Sequence, residues 1–281
     1  MKSVFAFTMV VLIGSTLVFT GCGTKDNTVT LPPKAFTQKC VVEKYTGEWC
    51  GACPNAGSFF ETMTTTYPTK FIGVAIHAGS PDRYASNASC QSMYSYLTQE
   101  LKHPSFSGTI GFPNVMIMRS ANPSNGAIID GFGSSEWTGA VSNALAVKAP
   151  LGLSLETKVL GTTLSSTAKY QISTALPAGV YALTAYLVEN ELDGSLQTSA
   201  PAGYKQQHVL RELLTPKEGL TIDATKMNIP VAVTLNDVSL ASYVAANCQV
   251  IAFIHKKGTS YDDKKIINGQ IVKAGFNQNF D

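Results

Sequence analysis

Apolar positions in the first half of the chain follow two different periods. A period of two, or a short continuous apolar run, predicts a strand, and a period near 3.6 predicts an amphipathic helix. Proline at the first turn of residues 54–65 favours a helix beginning there. The patterns predict strands at residues 40–45, 71–77, 114–119 and 127–132, and helices at residues 54–65, 87–101 and 134–148. Strands that alternate with helices indicate an α/β layer arrangement.

After Pro150 the helical period nearly disappears, and turn residues separate short apolar runs. Strands are predicted at residues 151–160, 164–173, 181–189, 206–214, 231–235, 249–255 and 265–274. Such a succession of strands with turns between them favours an all-β sandwich of the immunoglobulin-like kind. We therefore expect an α/β domain over residues 37–149 and a β-sandwich domain over residues 150–281.

The N-terminal residues carry the pattern of an export signal. Lys2 precedes an almost unbroken apolar run from Val4 to Phe19, and small residues and Cys22 follow. The run is short for a membrane span. A cysteine directly after small residues resembles the bacterial lipobox, whose cysteine is acylated. The alternative is an ordinary cleaved signal with a stray cysteine nearby. We expect a signal peptide over residues 1–21, a polar tether over residues 22–36, and membrane attachment through acyl chains on Cys22.

Composition narrows the class of protein. The 281 residues are 44% hydrophobic and 14% charged, with a formal net charge of +2. The apolar content is ordinary for a chain that buries a core, which argues against disorder. A charge so close to zero argues against nucleic acid as a partner, because phosphate binding needs a concentrated basic patch.

Two cysteines carry the most specific chemistry in the sequence. Cys50 and Cys53 are separated by two residues, between a predicted strand and a predicted helix, so one turn brings both sulfurs within reach of a disulfide. The first thiol is then expected to be exposed at the helix N-terminus, where a thiolate is stabilised, and the second to resolve a mixed disulfide. Zinc binding needs a second pair of ligands, and none follows. A purely structural disulfide is the alternative. We expect no metal and no cofactor.

The remaining cysteines leave two interpretations open. Cys40 and Cys90 could pair in an exported protein, or Cys40, Cys90 and Cys248 are all small buried apolar residues. We favour the second. His208 and His255 lack the neighbours of a metal site, so we expect them to be hydrogen-bonded or on the surface.

Residues 45–54, Tyr-Thr-Gly-Glu-Trp-Cys-Gly-Ala-Cys-Pro, closely resemble the active site of thioredoxin-fold proteins. The whole chain resembles the Omp28-related outer-membrane lipoproteins of the Bacteroidetes type. Residues 74–79, 111–113 and 207–211 add to that resemblance. The resemblance implies a thioredoxin-like domain followed by a β-sandwich, and a location in the cell envelope at the outer membrane.

The same resemblance implies roles for individual residues. Cys50 and Cys53, with Trp49 beside them, are expected to be catalytic. Pro113 is expected to follow a cis peptide bond and to begin the strand that faces the cysteines. The backbone before it, at Phe112, is then free to pair with a substrate chain.

One position departs from the thioredoxin pattern. Thioredoxins usually place a buried carboxylate six residues before the first cysteine, and this chain has Lys44 there, with Glu43 before it. Neighbours on a strand point to opposite faces, so Glu43 does not simply replace that carboxylate. Lys44 is expected either to stabilise thiolates by its charge or to reach solvent through its long stem.

These features predict an exported, lipid-anchored thiol–disulfide oxidoreductase. Its substrates would be protein thiols or disulfides outside the cytoplasm, and an unidentified redox partner would restore it. The alternative is a redox-silent surface or periplasmic binding lipoprotein, in which the β-sandwich recognises a partner.

Overall fold

The computed structural model of the protein describes residues 35–101, 110–120, 130–131, 134–258 and 261–281. The expected signal peptide and Cys22 lie outside these ranges, as does most of the predicted strand at residues 127–132. The described chain is a mixed α/β protein that consists mostly of sheet. None of its described helices is long and apolar enough to cross a membrane.

Helices are confined to the first half of the described chain, apart from short 3₁₀ turns. They are α1 (Cys53–Thr66), α2 (Ala88–Tyr96), which continues into a π-helical turn at Leu97–Leu101, and α3 (Ser134–Ala146). Strands of the first half are β1 (Cys40–Thr46), β2 (Phe71–His77), β3 (Asn114–Ile117) and β4 (Asp130–Gly131).

Later strands are β5 (Leu151–Leu160), β6 (Thr163–Ile172), β7 (Val180–Glu189), β8 (Leu192–Asp193), β9 (Lys205–Gln206), β10 (Val209–Leu213), β11 (Leu220–Thr221), β12 (Val231–Thr234), β13 (Val238–Ser239), β14 (Cys248–Lys257), β15 (Ile266–Lys273) and β16 (Asn277–Gln278). The 3₁₀ turns are Ala245–Asn247 and Tyr261–Lys264.

Among the described residues, one nine-stranded sheet runs in the order β15-β14-β7-β10-β2-β1-β3-β4, with β11 also paired to β7. In it β1 is parallel to β2 and antiparallel to β3. Every residue of β1 and β2 is buried, which is typical of central strands covered on both faces. The turn that holds Cys50 and Cys53 therefore begins at the end of a fully buried strand.

The same sheet contains strands from both sides of residue 150. Strand β10 pairs with β2 in parallel and with β7 in antiparallel orientation, so the later strands continue the sheet of the earlier ones. The expected boundary between residues 149 and 150 stays a prediction, and it does not coincide with a break in this sheet. Sequence periodicity could not reveal the join, because the period of a strand does not identify its neighbour.

A second, five-stranded sheet, in the order β12-β6-β5-β16 with β13 on β6, covers one face of the large sheet within the described part of the chain. Strands β7 and β14 take part in two cores, because alternate side chains point to opposite faces. Tyr186 and Ile251 pack with the helices, whereas Leu187 and Val250 pack with β5 and β6. The immunoglobulin-like arrangement of the sandwich remains a prediction.

A buried ion pair crosses the helix-covered core. The Arg119 guanidinium donates to both carboxylate oxygens of Glu43 at 2.7 Å, and the two side chains are 0% and 1% exposed. The Tyr186 hydroxyl lies 3.2 Å from each partner. The rings of Tyr96 and Phe253 lie 5.5 and 5.2 Å from the guanidinium carbon. The cluster thus joins β1, the end of β3 and β7.

We expect Arg119→Met to lower the free energy of unfolding by about 3–5 kcal/mol, because it leaves the Glu43 carboxylate buried without its partner. Urea denaturation measures the change. Lys169→Met is the matched control, since its exposed pair with Glu156 should contribute less than about 1 kcal/mol. The double variant Glu43→Leu, Arg119→Met should recover part of the loss. Equal effects of the two single variants would contradict the structural importance of the buried pair.

Candidate functional site

The two cysteines lie in the turn between β1 and α1. The Cys50 amide donates to the Gly47 carbonyl at 3.0 Å, and the Cys53 amide donates to the Cys50 carbonyl at 3.2 Å. Helix α1 then begins at Cys53, with proline in its first turn, where a missing N–H group costs little. Cys50 and Cys53 form a disulfide with their Cα atoms 5.4 Å apart. The sequence prediction that one turn brings the two sulfurs together is confirmed.

The expected exposure of Cys50 is wrong for this disulfide state. Cys50 is 4% exposed and Cys53 is 1% exposed. The loop after β8 lies against this turn: the Gln197 side-chain nitrogen lies 2.9 Å from the Cys50 carbonyl oxygen, and a Cβ atom added at Gly51 would lie 3.1 Å from the Ser199 hydroxyl. Spacing within the motif could not show these contacts, because Gln197 and Ser199 are distant in sequence.

Aromatic side chains border the disulfide turn. Trp49 is 40% exposed, its indole N–H donates to the Ala78 carbonyl at 2.9 Å, and its ring centroid lies 5.4 Å from that of Phe112. Gly79 has a φ of +82°, and a Cβ atom there would collide with the indole, so the position requires glycine. The sequence thus places Trp49 against the β2 end of the site.

The Phe112–Pro113 peptide bond is cis, as the resemblance implied, and it leads directly into β3. A second cis bond, Ser80–Pro81, was not anticipated. The structure therefore brings together Trp49, Cys50, Phe112 and Pro113 from two separate segments. Their catalytic and substrate-binding roles stay predictions.

Lys44 lies neither in solvent nor in an ion pair within the described chain. It is 3% exposed, and its ammonium lies 4.9 Å from the Phe60 ring centroid, about two helical turns beyond Cys53. Burial lowers the pKa of Lys44 to about 8, although the negative charge of Glu61 acts to raise it. Glu43 lies on the other face with Arg119, as strand alternation predicts. The expectation that Lys44 reaches solvent is wrong, because α1 covers this face of β1.

A charged cluster beside the turn was missed in the sequence. The Glu48 carboxylate, 2% exposed, accepts from the Arg83 backbone at 2.8 Å and from its guanidinium at 2.5 Å, and Arg83 also pairs with Asp193. The Asp82 carboxylate accepts from the Glu48 amide at 2.8 Å and lies 2.7 Å from His77 Nδ1. A signal was available, because Asp82 and Arg83 directly follow Ser80–Pro81 in the short loop after β2.

The pKa of Asp82 reflects that enclosure. Burial alone would raise it, but hydrogen bonds to His77 and to the Glu48 and Tyr84 amides, with the charge of His77, bring it below its usual range. The carboxylate therefore stays ionised at neutral pH and holds the backbone next to Trp49.

Cys40, Cys90 and Cys248 are free and buried, so Cys40 and Cys90 do not pair. Burial raises the pKa of each to about 12, which keeps them protonated and unreactive. His255 is buried and hydrogen-bonded to Thr184, as expected. His208 is half-buried, and its buried Nδ1 has no hydrogen-bond partner among the described residues, so the expectation that it is hydrogen-bonded or on the surface is met only in part. Burial and Lys44 lower its pKa to about 4.

Among the described residues, no group of three or more His, Cys, Asp or Glu side chains could hold a metal ion. The Cys50–Cys53 disulfide can accept two electrons and two protons, and the dithiol can return them.

No protein-family model and no curated protein matches this chain. Among solved structures, HBP35 of Porphyromonas gingivalis is similar, with a TM-score of 0.70 and 20% identity over 85% of this chain and 76% of its own. A protein from Agrobacterium tumefaciens aligns with a TM-score of 0.53 and 16% identity over 87% of this chain and 98% of its own. These two similarities show a shared fold alone.

A domain of the outer membrane lipoprotein Omp28 from Porphyromonas gingivalis also aligns, with a TM-score of 0.33 and 18% identity over 45% of this chain and 89% of that domain. A likeness this low supports no conclusion about the present chain.

We expect Lys44→Met to stabilise the protein at pH 7 by on the order of 1–3 kcal/mol. The pKa of lysine is about 10.4 in an unfolded chain and about 8 here, so folding opposes protonation. The wild type therefore gains stability as the pH rises from 8 toward 10.4, and the advantage of the variant shrinks. Urea denaturation at pH 7 and pH 10 measures this, with the exposed Lys158→Met as control. If Lys44→Met is more stable than the wild type by the same amount at pH 7 and at pH 10, the buried ammonium of Lys44 does not destabilise the fold.

Proposed function

We propose that the protein is a lipid-anchored thiol–disulfide oxidoreductase that acts on protein thiols or disulfides outside the cytoplasm. The observation that carries the proposal is the Cys50–Cys53 disulfide directly before α1, beside Trp49 and the cis Phe112–Pro113 bond. The parallel β1 and β2, the antiparallel β3 and the flanking α1 and α3 support a thioredoxin-like unit. The two-sheet packing of the later strands supports the β-sandwich.

Reduction of a substrate would proceed in two exchanges. The Cys50 thiolate attacks one sulfur of a substrate disulfide, and the substrate S–S bond breaks. The other substrate sulfur leaves as a thiol, and Cys50 is then joined to the substrate in a mixed disulfide. The Cys53 thiolate then attacks the Cys50 sulfur and releases the second substrate thiol. Two electrons and two protons have passed to the substrate, and the Cys50–Cys53 disulfide remains. A dithiol reductant must restore the pair. Oxidation of substrate thiols uses the same steps in reverse.

A redox-silent binding lipoprotein is the second candidate, and the burial of Cys50 favours it. A disulfide with both cysteines below 5% exposure can also serve as a structural cross-link. In that case the later strands would recognise the partner, and the α/β part would be a scaffold.

Insulin reduction separates these two functions. We expect the chain from Gly23 onward to reduce insulin with dithiothreitol as donor, and Cys50→Ser to lower the rate to background, because the attacking sulfur is lost. Cys53→Ser should retain substrates as mixed disulfides on Cys50, detectable by mass spectrometry. Cys248→Ala, a buried cysteine outside the site, is the control and should retain turnover. Wild-type rates equal to Cys50→Ser with several donors would favour the binding protein.

Membrane attachment is a separate part of the proposal and rests on the sequence around Cys22. Membership in the Omp28-related family and a place in the outer membrane rest on the quoted motifs, and the fold shared with HBP35 supports them. Acyl chains on Cys22 would anchor the chain without a spanning helix.

We expect Cys22→Ala to yield a soluble or unprocessed form, because the acyl chains provide the attachment. Carbonate washing of membranes, followed by immunoblotting, measures it. Cys50→Ser should remain in the membrane fraction and serves as the control. Persistence of Cys22→Ala in washed membranes would show that the anchor lies elsewhere.

A further inference from the structure

The turn that holds Cys50 is bound by a segment from the second half of the chain. Residues 192–206, called here the 192–206 segment, contain β8 and β9 and lie between β7 and β10. The Gln197 amide nitrogen lies 2.9 Å from the Cys50 carbonyl oxygen, 3.1 Å from that of Gly47 and 3.4 Å from that of Glu48. The Thr198 backbone N–H also donates to the Glu48 carbonyl, at 2.7 Å.

The Gln197 side chain is itself held in place. The residue is 6% exposed, and its amide oxygen accepts from the Gln206 side-chain nitrogen at 2.8 Å. That bond directs the nitrogen of Gln197 toward the turn, since the oxygen is already occupied. Its backbone N–H donates to the Gly194 carbonyl at 3.0 Å. A buried amide with both ends bonded is a rigid support for the atoms it contacts.

The three carbonyls that Gln197 contacts belong to the turn that sets the distance between the two sulfurs. Gly47 and Cys50 are already joined by the turn bond between the Cys50 amide and the Gly47 carbonyl. A donor shared among these carbonyls restricts the turn to the conformation in which the Cα atoms of Cys50 and Cys53 are 5.4 Å apart. Restricting two reacting groups to the right geometry raises their effective concentration.

We propose that Gln197 is a positioning residue for thiol–disulfide exchange, which holds the Cys50 turn so that Cys53 can attack the Cys50 sulfur. This inference rests on the proposed function for its biological meaning. The physical consequence is independent of any substrate: the Cys50–Cys53 disulfide is favoured over the dithiol by the support that Gln197 gives, and the second exchange is accelerated by it.

Equilibration with glutathione tests the proposal on the purified protein. In Gln197→Met, which keeps the length and loses the donor, we expect the equilibrium constant for disulfide formation to fall by about threefold to tenfold, because hydrogen bonds of ordinary strength are lost. The oxidised fraction is read by alkylation and mass spectrometry of the peptide that contains Cys50 and Cys53. Glutathione bound to Cys50 as a mixed disulfide should also be released more slowly in the same variant. Rapid acid quenching at successive times measures that rate.

Two further variants make the result specific. Gln207→Met removes a similar amide from the neighbouring position, where it bonds to Glu191, and should leave the equilibrium constant unchanged. Gln206→Met removes only the bond that orients Gln197 and should shift the constant in the same direction by less. If Gln197→Met does not fold, by near-ultraviolet circular dichroism, the Gln206→Met shift decides the matter.

An unchanged or increased equilibrium constant in Gln197→Met, whatever its melting temperature, would overturn the positioning role. The same holds if Gln207→Met shifts the constant as much as Gln197→Met. Absence of insulin turnover together with the expected shift would reject the proposed function and leave the positioning role intact. Turnover without a shift would reject the positioning role alone.

Discussion

The buried pair of Glu43 and Arg119 is the constraint on which the arrangement of this protein depends. Removing two charges from water is costly unless each finds its partner in good geometry, and here the partners come from β1 and from the end of β3. Tyr186 of β7 completes the cluster. The pair itself lies within the first half of the chain, and the Tyr186 hydroxyl and the Phe253 ring of β14 contact it from the second half. These contacts couple the strand that leads to Cys50 to the part of the sheet that the second half contributes.

That coupling explains why the site is built from distant segments. Strand β10 beside β2, and β7 beside β10, bring the connection between β7 and β10 to the end of β1. In that connection, Gln197 contacts the Cys50 carbonyl and Ser199 lies against Gly51. Asp193 of the same connection pairs with the Arg83 guanidinium. The turn that holds Cys50 and Cys53 is therefore not an independent unit. Gln197 and Thr198 of the second half hydrogen-bond to its backbone carbonyls.

The sequence predicted the features that depend on neighbouring residues and missed the contacts between residues that are far apart in the chain. Cys50, Cys53, Trp49 and the cis bond before Pro113 follow from a short motif and a known resemblance, and the main helices and strands follow from periodicity. Gln197 could not be found this way, because nothing in its neighbourhood indicates a carbonyl 147 residues away in sequence. The position of Lys44 also depends on tertiary packing, since only the cover of α1 decides between solvent and burial. Pairing across a sheet has no local signature.

The enclosure of the disulfide also limits how a partner could reach it. Exchange requires the incoming sulfur to approach one of the two sulfurs of the disulfide, and Cys53 is the more deeply buried of the two. At Gly51, a Cβ atom would lie 3.1 Å from the Ser199 hydroxyl, so the 192–206 segment lies against that part of the turn. Trp49, at 40% exposure and in contact with Phe112, borders the turn as well. For the proposed exchange, we therefore expect a substrate chain to approach Cys50 along Trp49 and Phe112 and to pair with the backbone before Pro113.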